Sequence, residues 1–137
     1  MPAKPLTSLG VVAVPYRGTT PTEYDERSTG RYAAANVYAA AGVPVTITEP
    51  QMPEEQRVAE PTDNLGIYNG KIADAVAAAR RAGSGVLLAG GDCSHITGVV
   101  GGLQDAHGAA ARIGLVWFDA HGDFNTPRTT LSGMLGG

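Results

Sequence analysis

The chain of 137 residues has the length of one ordinary domain, and 43% hydrophobic residues are enough for a globular core. Charged residues make up 17% and the formal net charge is −3, which excludes a disordered charged tail and argues against nucleic acid as the main partner. The single cysteine, Cys93, excludes an internal disulfide and fits a reducing cytoplasm, while the absence of a signal-type leader and of any apolar run near the roughly 18 residues of a span argues against export and membrane insertion.

Leu9 to Pro15 reads as a buried strand ended by its proline. Tyr16 to Ser28 is polar and turn-rich, a loop. Thr29 to Ala41 is alanine-rich and precedes Gly42, so it reads as one helix with a glycine stop. Val43 to Thr48 is β-branched, a second strand. Pro50 to Asp63 holds three prolines and many charges, and reads as a loop able to fold over a neighbouring site. Asn64 to Ala82 carries Leu65, Ile67, Tyr68, Ile72, Ala75, Val76 and Ala79 at helical spacing. Gly85 to Ala89 is a third strand. Ser94 to Ala106 reads as a helix weakened by Gly98, Gly101 and Gly102. Arg112 to Phe118 is a fourth strand, with Trp117 and Phe118 as core. This alternation predicts an α/β fold in which strands around Val11, Val45, Leu87 and Val116 form one parallel sheet with helices on its faces.

Asp119-Ala120-His121-Gly122-Asp123 directly follows the fourth strand. If extended geometry runs on through Asp123, the side chains at i, i+2 and i+4 point one way, with Cα atoms roughly 6.5 Å apart. Asp119, His121 and Asp123 then converge as oxygen and imidazole donors, a set suited to Mn, Fe or Zn. Beyond the carboxyl end of a strand is also where open α/β sheets place ligands. A polar loop is the plainer reading of the same residues. Gly90-Gly91-Asp92-Cys93-Ser94 follows the third strand in the same way, so both segments can share one crevice.

Together these two motifs resemble the ureohydrolases, the family of arginases, agmatinases, formimidoylglutamases and guanidinobutyrase-like enzymes. Their first motif is Gly-Gly-Asp-His-Ser and their second Asp-Ala-His-x-Asp; the likeness is specific over about Gly85 to Gly137, helped by Asn125-Thr126-Pro127 and Ser132-Gly133. The resemblance implies a three-layer α/β/α fold and a two-manganese site. It also implies hydrolysis of a C–N bond in a small guanidino or amidine compound by a metal-bridging hydroxide. It carries Asp119, bridging both metals, and Asp123 over as catalytic metal ligands and His121 as a metal ligand. Asn125 and Ser132 become substrate contacts, and Asp92 supports the ligands from behind.

The sequence departs from the family pattern in three places. Cys93 stands where a ligand histidine is usual, and a thiolate is a poor donor for manganese. A zinc or single-metal site is therefore an alternative to two manganese ions, and a small packing residue is an alternative role for Cys93. His95, two residues on, reads as the start of the helix facing solvent or the crevice rim, with ligand substitution as a second reading. Met134 and Gly136 replace the Asn and His of arginases, which favours an agmatinase-, guanidinobutyrase- or formimidoylglutamase-like substrate over arginine. No Asp or Glu follows Asp123, whereas the family completes its metals with a later Asp-x-Asp motif. Residues 1–137 thus read as the incomplete N-terminal part of a single domain, inactive alone, which forms homo-oligomers or meets a complementary chain. Two other readings remain: an inactive binding or regulatory fragment, and a hydrolase with Cys93 as nucleophile on a strand–turn–helix elbow and His121 as base.

Overall fold

A computed structural model describes residues 5–21, 28–126 and 128–131. Three parallel strands form the sheet in the order β4-β1-β5: β1 (Leu9–Val14) at the centre, β4 (Val45–Thr48) on one side and β5 (Gly85–Gly90) on the other. Register runs Leu9 to Val45 and Leu9 to Gly85, and Val14 lies opposite Gly90, so β1 and β5 end together. The residues after Val14 and after Gly90 therefore leave the sheet at the same end. A two-residue antiparallel ladder, β2 (Tyr16–Arg17) with β3 (Thr20–Pro21), organises part of the expected loop after β1.

The core lies between the sheet and α2 (Pro61–Arg81). Val12 and Val14 of β1 meet Tyr68, Ile72 and Val76, which recur every four residues and so share one helix face. Each such aliphatic side chain contributes about 1.5–3 kcal/mol when fully buried. Val99 and Leu103 of α3 (Ile96–His107) and Val86 and Leu88 of β5 pack around this cluster. The tyrosine hydroxyls fasten the proline-rich segment before α2: Tyr68 donates to the Pro50 carbonyl at 3.1 Å, and Met52 N–H donates to Tyr16 Oη at 3.3 Å. That segment also contains a 3-10 turn, Glu54–Gln56.

Several expectations are corrected. The single helix expected over Thr29 to Ala41 is two pieces, α1 (Ser28–Ala34) and a 3-10 segment Val37–Ala41, separated by Asn36 at φ 53°, a left-handed position that asparagine tolerates. α2 starts at Pro61 and not at Asn64, because proline at the first helical position sacrifices no needed N–H. No strand forms over Arg112 to Phe118, and no ladder joins Val116 to the sheet. In consequence Trp117 and Phe118 are not core; Phe118 is 95% exposed. Apolar content made this run look like a buried strand, but burial needs neighbours on both sides, and the described residues supply none.

Candidate metal centre

Two turns at the carboxyl end of the sheet build the site. After β5 the backbone bends through Gly90 and Gly91 at φ +87° and +72°, where a side chain at Gly90 would strike the Val14 carbonyl at 2.6 Å. Gly91 N–H donates to that same carbonyl at 3.0 Å, which pins the turn to the end of β1. Asp92 then caps the 3-10 turn Cys93–His95, its Oδ1 accepting from Ser94 N–H and Ser94 Oγ. Its Oδ2 accepts from Gly18 N–H at 2.7 Å. The His95 ring, once its Nδ1 also carries a proton, adds the largest lowering of the Asp92 carboxyl, and the Ser94 hydroxyl and the Gly18 N–H hold it below the usual carboxylate range against its burial.

His95 does not face solvent or the rim: it is fully buried. Asp92 N–H donates to its Nδ1 at 3.0 Å, which requires the Nε2–H tautomer, and Nε2 lies 3.0 Å from the Gly18 carbonyl it donates to. Nδ1 also stands 3.3 Å from Asp92 Oδ1, a contact that becomes an ion pair only if the ring gains a second proton. Tyr68 meets the imidazole edge-on at 5.6 Å, joining this support to the core. Sequence reasoning missed His95 as the clamp between the β5 turn and the β1 loop; its spacing from Asp92, a capping box, was the available signal.

The Asp119–Asp123 segment is a turn and not a continued strand. His121 N–H donates to Asp119 Oδ1 at 2.8 Å, and Asp123 adopts φ 49°. The alternate-side geometry is thereby lost, yet the turn still brings both carboxylates to Cys93. Ligand atoms of Cys93, Asp119 and Asp123 all lie within 4.8 Å of one another. The Cys93 thiol donates to Asp119 Oδ2 at 3.4 Å. His121 is left outside that group, its side chain 84% exposed and its Nδ1 3.3 Å from Asp119 Oδ1. Asn125 joins Cys93, Asp123, Trp117, Leu65 and Thr97 around a cleft of about 540 Å³. Asp92 stays behind the cluster. Ser132, Met134 and Gly136 lie outside the described residues.

The electrostatics separate the metal and nucleophile readings. The His121 N–H, then the Cys93 thiol, lower the Asp119 carboxyl. Desolvation first, then the Asp119 and Asp123 carboxylates, push the Cys93 thiol up to about 11. A nucleophilic cysteine needs the opposite, a cation or base that favours thiolate. His121 turns to Asp119, so the expected cysteine–histidine pair is not formed. A divalent cation, by contrast, fits the donors: Asp123 Oδ2 is buried without a hydrogen-bond partner among the described residues. Two carboxylates suit a hard ion such as manganese, but the thiol does not.

A sequence model of the Arginase family matches residues 11–137. The arginase of Entamoeba histolytica is 37% identical over 94 residues, 67% of this chain and 32% of that protein. Arginase-1 of Sus scrofa is 38% identical over 74 residues, 54% of this chain and 22% of that protein. The chain thus spans about a fifth to a third of the length of these curated relatives. Among solved structures, Entamoeba histolytica arginase in complex with L-ornithine superposes with TM-score 0.74 at 24% identity, covering 93% of this chain and 45% of that one. Bacillus subtilis arginase gives 0.71 at 23% identity, with 93% and 43% covered. The fold is therefore arginase-like α/β, and the sheet β4-β1-β5 is part of it.

Proposed function

We propose, from the premise that the chain belongs to the arginase family, that it supplies part of the site of a metal-dependent hydrolase of guanidino or amidine C–N bonds. The observation that carries this reading is the meeting of Cys93, Asp119 and Asp123 beside a cleft lined by Asn125. Asp119 and Asp123 are the proposed catalytic ligands, and His121 joins from the solvent side as imidazole donor. The cofactor by family likeness is manganese, in two ions, with zinc or a single ion as the alternative. When bound, such cations act as Lewis acids and lower the pKa of water.

The residues of the chain have separate tasks in this proposal. Asp119, its carboxyl lowered by its neighbours, is ionised and ready to bind at neutral pH. Asn125 and Ser132 orient the polar end of the substrate. Asp92 holds the Cys93 turn in place through Gly18 and Ser94. Met134 and Gly136 favour an agmatine-, guanidinobutyrate- or formimidoylglutamate-like substrate over arginine. We take residues 1–137 as part of one domain. Two octahedral ions want about six donors each, so the remaining donors come from further chain or from a complementary or identical chain. The reducing cytoplasm proposed for the protein suits the free Cys93. No described helix is long and apolar enough to cross a membrane. The shortfall of donors also supports a second reading, a binding or regulatory module without turnover.

The test is hydrolysis of arginine, agmatine, guanidinobutyrate and formimidoylglutamate by this chain alone and by the chain complemented with a polypeptide carrying the Asp-x-Asp ligands. The proposal expects no turnover alone and turnover with complementation, greatest on a substrate other than arginine. Preference for arginine would overturn the substrate assignment. No turnover of any substrate in the complemented protein would favour the binding module.

A further inference from the structure

We propose that Cys93 is itself a metal ligand and makes this site select a thiophilic cation, zinc before manganese. The inference rests on the metal-site reading above and specifies which ion the site takes. Cys93 Sγ stands 3.4 Å from Asp119 Oδ2. Zinc bonds of about 2.3 Å to sulfur and 2.0–2.2 Å to oxygen set tetrahedral donors roughly 3.6 Å apart, so this pair already has the spacing of two ligands on one ion. Asp123 completes a group whose ligand atoms lie within 4.8 Å, and its Oδ2 is buried with no hydrogen-bond donor to satisfy it among the described residues.

Packing alone does not account for this arrangement. A buried apolar cysteine touches apolar neighbours, whereas Cys93 points its thiol at carboxylates on a separate segment 26 residues away. A cation between them removes the repulsion that the two carboxylates impose on a thiolate, and the thiol proton passes to solvent as the sulfur–metal bond forms. One soft and two hard donors make three corners of a mixed tetrahedral set, the fourth being open to water. Zinc and cobalt accept such a set readily; manganese prefers oxygen throughout. The Asp92 cap and the buried His95 fix the turn that aims Cys93, so the selectivity is built into the support of the site.

Cobalt(II) titration of the full chain tests this, because thiolate ligation gives a charge-transfer band in the near ultraviolet independent of any activity. The band is expected in the wild type and absent in Cys93→Ser. Zinc should displace cobalt near stoichiometry, while manganese should fail at about tenfold excess. Cys93→His should narrow the preference for zinc over manganese by about tenfold or more. Cobalt bound through the carboxylates without a thiolate band would overturn the role of Cys93 and leave the metal site standing. So would equal zinc affinity in wild type and Cys93→Ser. No saturable cobalt binding in the wild type would overturn both.

Discussion

The glycines of α3 offer a direct test of what holds the Cys93 turn in place. Helix propensity alone says that Gly98, Gly101 and Gly102 each weaken α3, so alanine at any of them should stabilise by about 1 kcal/mol. The packing says otherwise for two of them. A Cβ at Gly102 would lie 2.5 Å from the Ala73 carbonyl and 2.7 Å from Val76 Cβ, and one at Gly98 would lie 2.8 Å from the Asn69 carbonyl and 2.9 Å from Ile72 Cβ. These are backbone and Cβ atoms of α2 that cannot swing aside. At Gly101 the nearest atom is Ala73 Cβ at 3.7 Å, an ordinary contact. Overpacking costs about 1–3 kcal/mol, and the Gly102 contacts put it at the upper end. After the propensity gain, Gly102→Ala should lose about 2 kcal/mol and Gly98→Ala somewhat less, while Gly101→Ala gains about 1 kcal/mol. The gap of about 3 kcal/mol between neighbouring positions is more than a hundredfold in the folding equilibrium. Urea unfolding of the three variants reads it. Equal stability of Gly101→Ala and Gly102→Ala would refute the close approach of α2 and α3.

Asp92→Ala should cost about 1–2 kcal/mol, the value of a lost N-cap, measured by the same unfolding assay. The depressed Asp92 carboxyl contributes stability that is fully present above its unfolded value of about 3.9 and is lost as pH falls below it toward the folded value. Asp92→Asn, which keeps a cap acceptor, should therefore flatten the acid limb of the stability profile; an unchanged slope between about pH 5 and pH 2 would count against the carboxylate's role. Tyr68→Phe should lose about 1 kcal/mol, since it removes the buried hydroxyl that donates to the Pro50 carbonyl; stability equal to wild type would show that this bond contributes nothing. Phe118→Ser should change stability by no more than about 0.5 kcal/mol, and it should reduce self-association in sedimentation.

Much of this arrangement was legible in the residues. β1 and β5 announced themselves as short apolar runs closed by proline or glycine, and the Tyr68, Ile72, Val76 spacing identified the inward face of α2. The pairing of the two motifs at one sheet end followed from the shared position of each after an apolar run. Other features depend on context that spacing does not carry. Ile113 to Phe118 has the composition of a core strand, but a strand exists only through its neighbours. Asp119 and Asp123 approach Cys93 through a turn at Asp123 and an N–H donated to Asp119, not through the expected alternation, and His121, expected to converge with them, lies outside that group. His95 was misread as a surface residue because a lone imidazole gives no sign of the Gly18 carbonyl it reaches across the fold.

Calorimetric titration of zinc into wild type, Asp119→Asn, Asp123→Asn and His121→Ala tests the metal centre most directly. One saturable ion per chain is expected, with affinity at least about tenfold weaker in either carboxylate variant and a smaller loss in His121→Ala, whose side chain stands 84% exposed outside the cluster. Wild-type affinity in both Asp119→Asn and Asp123→Asn would contradict that expectation.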